Sequence, residues 1–224
     1  TTAFDTFGLV ANPHPTPTQV RATYLTATGQ EFVSTQQAPA NSRATFWPRQ
    51  EHAGLASAEF STVIESLTAG NDVVAERAMY FDYSNPGTFA RSGHDALGVS
   101  APSTTWYFAE GNTGGNPLVA FETFLLLANP GTTDASVTVT FQLDTGEALS
   151  RVYMVPARQR FTVWVDQEGR LYDPKLENAA FGMTVQATQP IVAERAVYWG
   201  TPSASDPLTP QQPWAEGHAT AGAP

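Results

Sequence analysis

The chain has 224 residues, of which 42% are apolar, and that proportion is enough to bury the core of one large or two ordinary domains. Its net charge of −10 argues against nucleic acid or an anionic membrane as a partner, because both bind basic surfaces. The absence of cysteine excludes disulfides, thiolate metal sites and cysteine nucleophiles. Abundant Gly and Pro with only 14% charged residues favour short strands and turns, and the apolar runs are too short for a membrane-spanning helix.

Two stretches of nearly identical sequence indicate an internal repeat. Ala3–Pro13 reads AFDTFGLVANP, and Ala120–Pro130 reads AFETFLLLANP, 117 positions later. Val74–Tyr80 reads VAERAMY and returns as VAERAVY at Val192–Tyr198, one residue beyond that spacing. Ordered matches at nearly one offset predict two homologous domains.

Within a copy, the apolar residues follow the period of β-strands. A continuous apolar run at Leu125–Ala128 ends at an Asn-Pro-Gly turn, as expected for a strand covered on both faces. Val137–Leu143 alternates apolar and polar residues and is followed by the turn Asp144–Glu147, which predicts a hairpin. Further strands follow at Arg160–Val165 and Ile191–Trp199. Six or seven such strands per copy predict an all-β chain of two tandem antiparallel β-sandwich domains.

The repeat also sets the expected domain boundaries. The predicted segments are a first sandwich at 1–83 without its leading strand, a linker at 84–105, a second sandwich at 106–200, a linker at 201–213 and a donor-type strand at 214–224.

The phase of the repeat predicts how the first domain is completed. An aromatic segment, Trp106–Gly111, precedes the second copy, whereas the first copy begins without one. The Ala-Glu-Gly of that segment recurs near the C-terminus, so we expect the C-terminal strand to complete a first domain, either in its own chain or in a neighbouring chain. The residues expected to carry this self-assembly are Trp214, Ala215, Glu216, Gly217, His218, Ala219 and Thr220.

These motifs resemble those of a known group of proteins. The strings WYFAEG, LLLANP and VAERAVYW are similar to tandem immunoglobulin-like modules of large secreted bacterial surface proteins, most of them of unknown function. The resemblance covers 106–200 and most of 3–83, and it implies stalk or adhesion units without catalytic residues.

Charged pairs recur at one place in both copies. Glu76 and Arg77 match Glu194 and Arg195, and Glu110 is an expected partner of Arg195. We interpret them as structural ion pairs, because adjacent strand residues point to opposite faces and cannot share a catalytic pocket. No cofactor, metal or catalytic residue is predicted, and an enzyme is not expected.

Two tryptophans leave an alternative open. Trp47 and Trp164 occupy equivalent positions, and an exposed tryptophan is a common platform for sugars. The preferred function is a non-enzymatic extracellular or cell-surface structural protein, a subunit of a head-to-tail fibre or array assembled by β-strand donation. The alternatives are a carbohydrate-binding or adhesion module with glycans as partner, and a monomer closed by its own C-terminal strand.

Overall fold

The computed structural model describes residues 4–81, 92–210 and 214–224. The chain divides into two compact units, one of Thr1–Ser100 with Arg158–Arg160 and the other of Ala101–Ala157 with Phe161–Pro224. We call them the first and second repeat. None of the helices in the described part of the chain has the length and apolar character needed to cross a membrane.

The first repeat has two antiparallel sheets that enclose one core. One sheet has the order β4-β1-β6-β7 and the other the order β3-β2-β5. Val10 and Phe46 of the first sheet pack in one cluster with Val20, Ala22 and Tyr24 of the second. The elements are β1 (Phe4–Asn12), β2 (Thr18–Thr26), β3 (Glu31–Ala38), β4 (Ser42–Phe46), α1 (Pro48–Glu51), a 3₁₀ turn (Ala53–Leu55), β5 (Phe60–Ser66), β6 (Val74–Phe81) and β7 (Ser92–Leu97).

The second repeat has the same plan with one strand more. The elements are β8 (Ser103–Phe108), β9 (Gly114–Asn116), β10 (Val119–Asn129), β11 (Ala135–Leu143), β12 (Ala148–Val155), β13 (Gln159–Trp164), α2 (Val165–Leu171), a 3₁₀ turn (Pro174–Leu176), β14 (Phe181–Gly200) and β15 (Glu216–Ala221). The long strand β14 pairs with β11 and β8 through its first part and with β10 and β15 through its second part. It therefore corresponds to β5 and β6 of the first repeat together. The predicted all-β, antiparallel sandwich class is confirmed.

Equivalent asparagines show how the repeated sequence fixes the repeated fold. The side chain of Asn12 at the end of β1 donates to the carbonyl of Ala38, and that of Asn129 at the end of β10 donates to the carbonyl of Val155. Both asparagines are buried, so their amides must find partners inside the protein. Each one ties the turn after its strand to the end of a strand in the facing sheet, which explains the shared Ala-Asn-Pro motif.

The structure changes two of the expected boundaries. The segment expected as a linker at 84–105 contains β7 and the start of β8, because β7 has its own partner in β6. In the second expected linker, Pro202 and Pro210 form a β-bridge, so 201–210 folds back on itself. Of the expected linker residues, 84–91 and 211–213 lie outside the described residues.

Candidate assembly interface

The C-terminal strand belongs to the second repeat. β15 runs antiparallel to β14, with Glu216 opposite Trp199 and Ala221 opposite Glu194. Just before β15, the indole of Trp214 donates to the Glu122 carboxylate at 2.7 Å and stacks on Tyr198, with 4.6 Å between ring centroids. The prediction that Trp214–Thr220 completes the first repeat of its own chain is therefore wrong.

The reason is that β15 repeats β7. On β7, Gly93 and His94 lie opposite Tyr80 and Met79 of β6. On β15, Gly217 and His218 lie opposite Tyr198 and Val197, which are the equivalent residues of β14. Each repeat thus ends with a Gly-His strand on the same edge. The Ala-Glu-Gly match that assigned the tail to the front of a domain was coincidental.

The ion pair between Glu110 and Arg195 is present in the second repeat. The Arg195 guanidinium is 4% exposed and lies 2.5 Å from the Glu110 carboxylate. It also donates to the Glu110 carbonyl and lies 3.2 Å from Nδ1 of His218. The hydrogen bond from Arg195 lowers the pKa of Glu110, whereas burial and the Arg195 charge lower the pKa of His218. The cluster ties the loop after β8 to β14 and β15.

The other charged residues of the repeated motif differ in exposure, according to the face of the strand on which they lie. Glu76 is exposed and Arg77 is half-buried, as expected for neighbours on one strand. Glu194 is likewise less buried than Arg195. Ala96 of β7 lies opposite Arg77, as Thr220 of β15 lies opposite Arg195.

In the second repeat, β8 covers the outer edge of β14. Trp106 lies opposite Val185 and Phe108 opposite Met183. Trp106 is 1% exposed, and its indole nitrogen donates to the carbonyl of Ile191 at 3.0 Å. The aromatic segment noted in the sequence is thus an integral core strand of this repeat.

In the first repeat the equivalent edge is open. β5 is the last strand of its sheet, and no strand of the described ranges pairs with its outer side. Three positions on and near this edge are half-buried, Ile64, Val73 and Ala75, whereas their equivalents Val185, Ile191 and Ala193 are fully buried. In the second repeat this side of the sheet is covered by β8. An open edge of this kind presents unpaired backbone N–H and C=O groups to any extended segment.

The two tryptophans suggested as a sugar platform are packed against aromatic neighbours. Trp47 lies on Phe7 with 5.2 Å between ring centroids, and Trp164 stacks on Phe124 at 5.8 Å. Both are half-buried. One face of each ring is thus occupied within its own repeat, and glycan contact at these residues stays a prediction.

We predict different costs for removing the two indole N–H groups. The indole nitrogen of Trp47 donates to the buried carboxylate of Asp5 at 2.8 Å, whereas that of Trp164 is buried with no hydrogen-bond partner among the described residues. Trp47→Phe should lower the free energy of unfolding by about 1–3 kcal/mol more than Trp164→Phe, because it removes a hydrogen bond to a buried carboxylate, whose Oδ1 keeps only the Thr6 amide as donor. Urea denaturation of both variants measures this difference. Equal losses in the two variants would contradict it.

Two positions that carry opposite charges in the first repeat carry two acids in the second. Asp5 is buried and lies 3.9 Å from the Arg49 guanidinium. The equivalent residues are Glu122 and Asp166, and both are buried. The Asp166 carboxylate accepts hydrogen bonds from the amides of Gly114 and Thr123, which fixes the loop before β10. Within the described ranges, no group of three or more His, Asp and Glu side chains is arranged to hold a metal ion.

Comparisons with known proteins give only distant likenesses. No protein-family model and no curated protein matches the chain. Among solved structures, the Anabaena sensory rhodopsin transducer is 26% identical, with 44% of this chain and 91% of that chain covered and a TM-score of 0.36. Thermotoga maritima 1070 is 12% identical over 55% of this chain and 94% of that chain, with a TM-score of 0.42. The tandem CBM22 domains of Paenibacillus barcinonensis Xyn10C are 8% identical over 83% and 71%, with a TM-score of 0.23. At such TM-scores, none of the three carries an argument about function.

The buried acids predict a pH-dependent stability of the second repeat. Burial raises the pKa of Asp166 to about 8, and burial also raises the pKa of Glu122. The folded chain therefore keeps protons that the unfolded chain releases above about pH 4. The contribution of Asp166 to stability should be greatest below about pH 4 and should be lost progressively as pH rises to about 8, by on the order of 5 kcal/mol.

Thermal or urea unfolding between pH 5 and 9 measures this dependence. Asp166→Asn removes the titrating group and should flatten the curve, whereas Asp144→Asn, on an exposed hairpin turn, should leave the slope unchanged. An undiminished slope in Asp166→Asn would contradict the role of Asp166 and leave Glu122 and the overall negative charge of the chain as its sources.

Proposed function

We propose that the chain is a non-enzymatic structural protein of the cell exterior, built into an array by β-strand donation to its first repeat. The observation that carries the proposal is the difference between the repeats. One sheet edge is covered by β8 in the second repeat and left open on β5 in the first. The strands β10–β15 of the second repeat correspond to β1–β7 of the first, whereas β8 and β9 have no counterpart among the described residues.

The physical argument concerns what the open edge lacks. Backbone groups on β5 and half-buried apolar side chains beneath them gain hydrogen bonds and burial when an extended strand docks there. The contact joins two different surfaces, an open edge and a docked strand, so it would propagate without closing wherever one molecule carries both. The chain has no cysteine, and such an assembly is held together noncovalently.

The proposal concerns the surface that accepts the strand, which is the edge of β5. The C-terminal strand is already paired with β14 of its own repeat and is not offered as the donor. Placement outside the cell is supported by the resemblance to secreted surface modules and by the presence of a single lysine, Lys175.

Sedimentation velocity and electron microscopy of the whole chain test the proposal. We expect association that grows with protein concentration and is suppressed in Thr62→Lys, which places a charge at an exposed position of the open edge. Val63→Lys is the matched control, because Val63 is the neighbouring residue and points to the other face of β5. A chain that stays monomeric at all concentrations would refute the assembly.

A further inference from the structure

The open edge of the first repeat forms one wall of a slot. In the second repeat, β8 lies between β14 and the residues after β15, because Tyr107 exchanges two backbone hydrogen bonds with Ala223, of 2.8 and 3.0 Å. Since β7 and β15 are equivalent, Val99 occupies the place of Ala223 in the first repeat. The slot therefore has β5 on one side and the segment that follows β7 on the other.

We infer that this slot binds an extended strand with the pattern Trp-x-Phe, of the kind found in β8. The inference deepens the proposed function, on which it rests, by naming the chemistry of the partner strand. It is carried by the fit of β8 to the equivalent slot of the second repeat.

The register of the bound strand follows from the pairing of equivalent residues. Ile64 pairs with Ala22 on β2, just as Val185 pairs with Val139 on β11. Trp106 lies opposite Val185, and the tryptophan of the incoming strand therefore lies opposite Ile64. By the same register its phenylalanine lies opposite Thr62.

The backbone of β5 is oriented to accept such a strand. Ala27 donates to the carbonyl of Glu59, and Leu67 donates to the carbonyl of Gln19. Odd-numbered residues of β5 therefore direct their backbone groups towards β2, because these groups alternate in direction along an antiparallel strand. The N–H and C=O groups of Thr62 and Ile64 consequently point outward into the slot.

The side-chain surface of the slot suits an indole. In the second repeat the indole of Trp106 is covered by the sheet and donates to the Ile191 carbonyl. Val73 is the equivalent of Ile191, and it is only half-buried in the first repeat. A tryptophan in the slot would bury Val73 and Ile64 to the degree seen in the second repeat.

A glycine lies at the equivalent position beside the slot in both repeats, Gly98 in the first and Gly222 in the second. A Cβ atom on Gly222 would lie 2.8 Å from the Phe108 ring and 3.1 Å from Cβ of Trp106, so β8 packs there only because the residue is glycine. The first repeat has Gly98 at the equivalent position, where the nearest atoms belong to Ala75 and no aromatic ring is in contact. The space that the rings of β8 fill is therefore kept in the first repeat.

A labelled synthetic peptide with the sequence of residues 102–111 tests the inference, in a titration of the full chain followed by fluorescence anisotropy. We expect saturable binding that weakens at least tenfold when the peptide carries Trp106→Ala or Phe108→Ala. The same peptide with Tyr107→Ala is the matched control and should bind within about threefold, because Tyr107 is 54% exposed in β8. No saturable binding, or equal binding of all four peptides, would overturn the inference.

Hydrogen exchange locates the bound peptide without any change to the chain. We expect the amides of Thr62 and Ile64 to gain protection when the peptide is added. Protection confined to β14 would show that the peptide has exchanged with β8 of the second repeat, and it would overturn the assignment to the first. Thr62→Lys, at an exposed position of the slot, should abolish binding, whereas Val63→Lys should retain it.

The failure of this inference and that of the proposed function are distinguishable. If the peptide binds with the expected register while the chain alone does not associate, the slot exists and the array does not. If the chain associates but the peptide neither binds nor inhibits association, the assembly uses another surface and the inference is wrong.

Discussion

Trp106→Ala should lower the free energy of unfolding of the second repeat by about 3–5 kcal/mol. The side chain is 1% exposed, and its indole nitrogen donates to the Ser103 and Ile191 carbonyls at 3.2 and 3.0 Å. Truncation leaves a cavity between β8 and β14 and removes the donor of both hydrogen bonds. Urea denaturation followed by far-ultraviolet circular dichroism measures the loss.

The control lies one residue away. Tyr107→Ala removes a large side chain from the same strand, but Tyr107 is 54% exposed, and we expect a loss below about 1 kcal/mol. A similar loss in both variants would mean that β8 is held by its backbone pairing alone. The role assigned to the indole, and with it the importance of tryptophan for filling the slot of the first repeat, would then be wrong.

The sequence was sufficient to predict the repeated strands, because their apolar pattern is local. Val137–Leu143 alternates strictly, and β11 spans Ala135–Leu143 with the alternate burial expected from that pattern. The repeat offset then carried the same strand to the first copy, where β2 covers Thr18–Thr26. The two-residue period of the apolar positions and the repeat offset are therefore sufficient to predict the fold class.

The assignment of the C-terminal strand failed for a physical reason. Short matches such as Ala-Glu-Gly do not distinguish between two edge strands, because both kinds contain small residues that pack closely against a neighbour. The better signal was Gly93, His94 and Gly98, which recur with the same spacing as Gly217, His218 and Gly222. An interpretation of 84–105 as a linker hides this signal, because it gives β7 no counterpart in the second repeat.

The aromatic strand of the second repeat was predictable, and the buried acids were not. The sequence shows the aromatic segment Trp106–Gly111 immediately before the second copy, and β8 covers Ser103–Phe108. Asp5 and Arg49 come together only through the packing of α1 on β1, and so do Glu122 and Asp166 in the second repeat. No local pattern indicates that a salt bridge in one repeat is replaced by a pair of carboxyl groups in the other.

Removal of residues 214–224 should destabilise the second repeat by at least about 3 kcal/mol, because Trp214 alone contributes an amount typical of a packed tryptophan. The truncation also exposes β14, where Val197 and Tyr198 are buried beside β15, and leaves the buried Glu122 carboxylate without its indole donor. The newly open edge should make the truncated chain associate more readily than the whole chain. Denaturation and size-exclusion chromatography measure the two effects.

Two point variants separate the contributions of the tail. Trp214→Phe keeps the stacking on Tyr198 but removes the hydrogen bond to Glu122, and it should cost about 1–3 kcal/mol. Thr220→Ala, at an exposed position of β15, should change the stability by less than about 0.5 kcal/mol. If the truncated and whole chains unfold at the same urea concentration, β15 does not stabilise the second repeat, and its strand would again be available as a donor to another molecule.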